Sequence, residues 1–245
     1  VITMTNTFPH IPDLNGLMRA VETLLAPSGS LVIEAHYVGD LLAQGAYDTI
    51  YHEHVSYWAL RPMQRLFESV GFEVTGVQRL PIHHGQIRVF VQRSGVRPID
   101  RVVEELANQE VDDGLGQLRT FEAFANNVET NKFELRNLVR GYRHEGKRVV
   151  GYGAPAKGNT LLGYLEMGPE DIDYICDRSP LKQGRYTPGT HIPVVNPERL
   201  LQEQPDYAVL FAWNFVEEVF EQQSEYLARG GQFILPIPKV SVISK

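Results

Sequence analysis

Cysteine is almost missing from this chain. Cys176 is the single one among 245 residues, which leaves no disulfide framework and no cysteine-based zinc site and fits a reducing, cytoplasmic setting. Long apolar runs are missing too. The longest are strand-sized, well short of the roughly 18–20 residues a membrane span needs. Positive charge is in deficit, with 23 Lys and Arg against 30 Asp and Glu and a net charge of −7. A surface of that sign argues against a nucleic-acid partner, although a single phosphate site built from backbone amides and a few cations stays open. A signal peptide and an initiator methionine are also absent. Val1-Ile2-Thr3-Met4 starts directly as a buried-strand pattern, the expectation for a piece of a longer protein.

What remains is the composition of a globular enzyme, 43% hydrophobic and 22% charged, with length for one large domain or two modest ones. Residues 1–98 alternate strand and helix. A strand runs to about Thr7, and Leu14, Leu17, Met18, Val21, Leu24 and Leu25 carry the helical period. Ser30 to Glu34 reads as a buried strand, and Gly39 to Trp58 as irregular or weakly helical. Pro62 starts a helix that Gly71 stops. Glu73–Gln78 and Gln86–Gln92 read as strands, the second an antiparallel closing strand. Residues 99–146 change to long polar helices, a helical connector. Residues 147–245 resume the alternation: a strand at Arg148–Tyr152, a helix at Thr160–Glu166, then strands at Ile172–Cys176, Tyr207–Trp213 and Gly231–Pro236. The fold class is therefore α/β, with parallel sheet covered by helices.

The densest chemical cluster is Tyr51-His52-Glu53-His54. Three readings compete. His52 and His54 would share one face of a strand and could hold a metal, with His36, His83, His84 or His191 adding ligands. They could equally be structural histidines of a polar loop. Or they form an acid–base cluster, since a histidine beside a carboxylate and a phenol takes a proton near neutral pH. The last reading needs a loop. On a strand Glu53 would point away from His54, and on a helix Tyr51 and Glu53 would diverge by about 200°.

A second feature is Gly151-Tyr152-Gly153-Ala154-Pro155-Ala156-Lys157-Gly158-Asn159-Thr160, between a strand and a helix. Its glycines let backbone approach a ligand, and the following helix start favours an anion. The spacing departs from the dinucleotide fingerprint and lacks the P-loop ending, so a phosphate or nucleotide site stands against a tight turn that binds nothing. Asp177, at the next strand end, sits where an acid would meet a ribose, or caps a helix. Arg178, Lys182, Arg185 and His191 crowd the loop beyond it, a set suited to a diphosphate. Pro81-Ile82-His83-His84-Gly85-Gln86-Ile87-Arg88 suits a polar ligand or a solvated hairpin.

These stretches together resemble the sugar C-methyltransferases that methylate C3 of nucleotide-linked 4-keto-deoxysugars. The resemblance runs through Asn6-Thr7-Phe8-Pro9-His10-Ile11-Pro12, Asp48 to His54, Arg79 to Gly85, Gly151 to Thr160, Asp177 to Pro193, and Leu210 to Asn214. It implies the second half of an S-adenosylmethionine methyltransferase sheet, Rossmann-like, in residues 1–98, and a second Rossmann-like domain in residues 147–245. The cofactor's glycine-rich loop and a zinc-binding domain with cysteine ligands are expected before Val1. His84 departs from the family, which more often has glycine there. By this resemblance His54 is the base, Tyr51 and Glu53 orient it or stabilise an enolate, and His10 lines the same cleft. His83, Gly85, Gly153, Lys157, Asn159, Lys182 and Arg185 would meet a thymidine-diphosphate sugar. Asn6 and Thr7 would lie at the methionine end of S-adenosylmethionine. The family's members are often monomers. The competing reading is a nucleotide-sugar-binding module, or a nucleotide-sugar-modifying enzyme without methyl transfer.

Overall fold

The computed structural model describes residues 1–82 and 85–244 and divides into two compact units. The first comprises residues 1–44 and 52–123, the second residues 45–51 and 124–245.

In the first unit β1 (Ile2–Thr5) leads through a 3-10 turn at Phe8–His10 into α1 (Leu14–Leu24). The side chain of Asp13 caps this helix by accepting from Gly16 N at 2.8 Å. β2 (Leu31–His36), α2 (Val38–Gln44), α3 (Leu60–Glu68), β3 (Phe72–Leu80), β4 (Gln86–Arg93) and α4 (Arg101–Asp112) follow. The sheet order is β1-β2-β4-β3. β1 and β2 are parallel, and β4 runs antiparallel to both its neighbours, as the alternating pattern of residues 87–91 suggests. Phe8, Met18, Ile33, Met63, Phe67 and Phe72 fill the core, each fully buried, and burial of such side chains is the main force holding the unit together. α3 starts at Leu60, two residues before Pro62, so the proline occupies its first turn, where a missing N–H costs nothing.

α5 (Leu118–His144) passes from the first unit into the second. There follow β5 (Val149–Tyr152), α6 (Ala156–Leu165), β6 (Ile175–Cys176), β7 (Val194–Val195), α7 (Glu198–Glu203), β8 (Tyr207–Leu210), α8 (Val216–Gln222), α9 (Ser224–Ala228), β9 (Gln232–Leu235) and β10 (Ser241–Ile243). The sheet order is β10-β9-β8-β5-β6-β7, parallel except for β10. The chain leaves β5 toward β6 on one side and later returns to pair β8 on the other. That reversal makes the crevice beyond the carboxyl ends of β5 and β8 the topological switch point of the sheet. Both units are mixed α/β and Rossmann-like. Among the described residues no helix is long and apolar enough to cross a membrane.

Candidate active site

Three histidines of the first unit, His10, His36 and His54, have a physical reason for their place. The parallel strands β1 and β2 end side by side, and α/β sheets bind ligands at their carboxyl ends. His10 closes the 3-10 turn that follows β1, and His36 is the last residue of β2. Residues 51–54 form a turn and loop, the conformation that the acid–base reading demands, and Val55 N donates to Pro9 O at 3.0 Å to hold the loop against the end of β1. His54 is thereby buried, at 9% exposure, with ring centroids 5.0 Å from both His10 and His36 and 6.1 Å from Tyr57. Phe8 and Trp58, whose rings stand 5.0 Å apart, belong to the hydrophobic core of the same unit. His10 and His54 thus lie side by side, two residues that the family resemblance assigned to one cleft. His36, which entered that reading only as a spare metal ligand, joins them; its signal was its position at a strand end. Among the described residues no group of three His, Cys, Asp or Glu is arranged to hold a metal ion.

Glu53 is exposed on the turn, and Tyr51, half-buried, belongs to the second unit. Asn6 sits just beyond β1 with φ of 53°, an unusual value for a residue with a side chain. Its Oδ1 accepts from Gln86 Nε2 at 2.6 Å. Gln86 Oε1, fully buried, has no partner among the described residues. Thr7 is exposed and spends its hydroxyl on Thr5 O at 3.1 Å. Gly85 has φ of 99°, and a Cβ there would lie 1.9 Å from Asp40 Oδ2. Asp40 pairs with Arg79, whose guanidinium lies 4.1 Å above the Tyr37 ring. Arg88 is committed to Glu34 through Nε at 2.9 Å and Nη2 at 2.6 Å. His83 and His84 lie outside the described residues.

In the second unit the glycine-containing turn is shorter than its sequence suggests. α6 begins at Ala156, four residues before Thr160, so only Gly153, Ala154 and Pro155 remain between strand and helix. Gly153 has φ of 82°, and a Cβ would stand 2.6 Å from that of Ala212. Asp177 binds this turn directly. Its Oδ2 accepts from Ala154 N at 2.7 Å and its Oδ1 from Ser179 N at 2.8 Å. Lys182 Nζ donates to Ala154 O at 2.8 Å and to Asp177 Oδ2 at 3.2 Å. A cavity of about 290 Å³ opens beside them, lined among others by Asn159, Lys182, Arg185, Tyr186 and Thr187. Of the remaining loop cations, Arg178 turns to Glu218 at 3.0 Å, and His191 lies against Tyr186.

Lys157 takes a different direction. Its Nζ lies 3.5 Å from Asp48 Oδ2 and 4.4 Å above the Trp213 ring, and Trp213 Nε1 donates to Asp48 Oδ2 at 2.7 Å. Burial raises the Asp48 carboxyl above its ordinary range and lowers the Lys157 ammonium, outweighing their mutual attraction. Asp48 stood in the sequence only as part of a motif. Nothing in residue type alone marks it as buried.

Comparison with known proteins bears on both units. Residues 81–238 match the family described as C-methyltransferase C-terminal domain. The chain belongs to that family. Residues 1–77 match a methyltransferase domain, so the two matched families together reach into both Rossmann-like units of the chain. A C-methyltransferase from Streptomyces niveus, NovU, is 41% identical over 241 residues, a stretch that is 97% of this chain and 57% of the relative. The chain therefore spans a little over half the length of that relative.

Proposed function

We propose that this chain carries the proton-abstracting and sugar-binding parts of an S-adenosylmethionine-dependent C-methyltransferase acting at C3 of a nucleotide-linked 4-keto-deoxysugar. The observation that supports this reading is His54, buried between His10 and His36 beyond the carboxyl ends of two parallel strands. A 4-keto group acidifies the C3 proton. His54 accepts that proton, the C–H electron pair moves into the enolate, and negative charge collects on the former keto oxygen. Tyr51 and Glu53 orient the base or hold that oxygen, an electrostatic contribution. His10 lines the cleft.

When bound, S-adenosylmethionine supplies the methyl group that C3 takes. The residues beyond β1 fit it: the unpartnered acceptor of Gln86, held beside Asn6, suits an ammonium donor such as the methionine end carries. Asn6 and Thr7 would hold that end. The thymidine-diphosphate part falls to the cavity of Asn159, Lys182 and Arg185, where cations and the first turn of α6 offer charge-assisted hydrogen bonds.

The test is His54→Ala in the intact enzyme. Exchange of the C3 proton for deuterium should fall about 10²–10⁴-fold, with thymidine-diphosphate affinity within twofold of wild type. Unchanged exchange overturns the assignment.

A further inference from the structure

We infer that His36 is the positioning residue for the base: a ring nitrogen of His36 accepts the N–H on the far side of the His54 ring. That bond fixes the tautomer in which the cleft-side nitrogen of His54 is free to take a proton. The inference rests on the acid–base reading of His54 and lies wholly within the first unit.

A histidine base needs its two ring nitrogens in different states. One must be a bare acceptor toward the carbon acid, and the other must keep its proton and donate it to something fixed. His54 stands between two imidazoles at equal centroid distances of 5.0 Å, and the two differ in setting. His10 is exposed at the end of a 3-10 turn, as suits a side chain that lines a cleft. His36 is half-buried and ends a six-residue strand paired along its whole length with β4. The rings of His36 and His54 are tilted by 51° and so are not stacked. At this separation two imidazoles whose nitrogens face each other meet at hydrogen-bond length.

Backbone bonds hold both partners. Just beyond His36, Tyr37 N donates to Gly85 O at 3.2 Å and Val38 N to Trp58 O at 2.8 Å. Just beyond His54, Val55 N donates to Pro9 O. The stretch from His54 to Trp58 is thus fastened at both ends, to the segments that follow β1 and β2. A positioning group on a strand keeps its geometry better than one on a loop.

To accept from His54, His36 must be neutral and carry a proton on its other nitrogen, which then needs an acceptor of its own. Glu34, on the same face of β2, is committed to Arg88. Gln86 lies directly opposite His36 in the β2–β4 register, so the two side chains leave the sheet on one face, about 4.5–5.5 Å apart at Cβ. Its Oε1, fully buried and without a partner among the described residues, supplies that acceptor. An amide oxygen has two lone pairs, so one remains for an ammonium. When the C3 proton arrives it stays on the cleft-side nitrogen of His54, and the charge strengthens the far-side bond to His36. No proton passes to His36.

The experiment uses the intact enzyme and the variants His36→Leu, His36→Gln, His36→Glu and His54→Ala. For each, kcat and KM of C3 deuterium exchange are measured across pH. His36→Leu fills the space without an acceptor and should lower kcat about tenfold or more, the scale on which lost orientation costs rate, with KM within twofold. His36→Gln keeps an acceptor and should stay within threefold of wild type. Among the described residues, the titratable and charged groups around the pair are His10, Tyr57, Glu34 with Arg88, and Asp40 with Arg79. A carboxylate in place of the His36 ring favours the charged form of His54. The ascending limb of the kcat/KM profile, which reports the base, should therefore move to higher pH in His36→Glu. A kcat in His36→Leu within twofold of wild type, a His36→Gln enzyme as slow as His36→Leu, or an unmoved limb in His36→Glu overturns the inference. Should His36→Leu fail to fold, the limb of His36→Glu decides by itself. Undiminished exchange in His54→Ala is a separate failure, that of the acid–base reading.

Discussion

The carboxylate of Glu110 caps the helix that begins at Leu60, accepting from Leu60 N through Oε1 and from Arg61 N through Oε2 at 3.0 Å. α3 has Ala59 at its N-cap, which offers no side-chain acceptor, and the orphan N–H groups of a helix start must find one. α4 delivers it from fifty residues away along the chain, with Glu110 only 1% exposed.

Glu110→Ala should therefore strand two N–H groups and destabilise the first unit by about 2–3 kcal/mol, the usual worth of hydrogen bonds to a charged acceptor. Glu110→Gln, which keeps one carbonyl oxygen, should lose less than half of that. Urea unfolding followed by circular dichroism measures both. Equal stability of Glu110→Ala and wild type would show that the cap contributes nothing.

Gly153→Ala places a Cβ 2.6 Å from that of Ala212 at a φ of 82°. Strain of that kind costs about 1–3 kcal/mol. The melting temperature of the second unit should drop, and thymidine-diphosphate affinity with it, because Ala154 and Asp177 move with the turn. Gly163→Ala, a helical glycine with nothing near its Cβ, should be neutral or stabilising by comparison.

Lys182 and Arg185 share a cavity but not a role, and alanine variants should separate them. Arg185→Ala should weaken thymidine-diphosphate binding by about tenfold, as loss of a charge-assisted bond does, while leaving the melting temperature in place. Lys182→Ala should lower both, since its ammonium also ties Ala154 to Asp177. Calorimetric titration and thermal melts on the same samples decide.

Asp48 gives a pH dependence of defined sign. Burial raises its pKa in the folded protein above the ordinary 3.8, so between those values the native state holds a proton that the unfolded chain has released. Stability from this group is present below 3.8 and lost as pH rises through the folded value. Subtracting the stability of Asp48→Asn from that of wild type at each pH isolates the effect, and the difference should decline as pH rises from 4. A rising difference would mean that Lys157 dominates and holds Asp48 ionised.

Period and punctuation made most of the elements legible in the sequence. The Leu14 to Leu25 stripe is α1, Gly71 does end the segment begun by α3, and residues 87–91 are the antiparallel strand. The misses have local causes. Ala156-Lys157-Gly158-Asn159 reads as loop because of its glycine, yet Gly158 is helical, and a Cβ there would press on Phe211 at 3.2 Å. Its glycine serves close helix–strand packing, which no periodicity reports. β7 and β10 have two and three residues, too short for a pattern. At the candidate site, the meeting of His10 with His54 was foreseeable from the family resemblance alone, not from residue type or spacing. The choice of Asp48 over a phosphate as the partner of Lys157 was not, since it depends on a contact between residues more than a hundred positions apart.

Residues 45–51 belong with the second unit although the chain on either side of them belongs to the first. Neither unit is thus a continuous stretch of polypeptide, and the two cannot be exchanged as cassettes by a single crossover between related genes. A cut at residue 124 would take Trp213, Lys157 and Asn131 away from Asp48 and Tyr47, leaving a buried ammonium with no carboxylate. Recombination that preserves this protein must carry seven residues along from upstream, and a graft that omits them should inherit the second sheet without its stability.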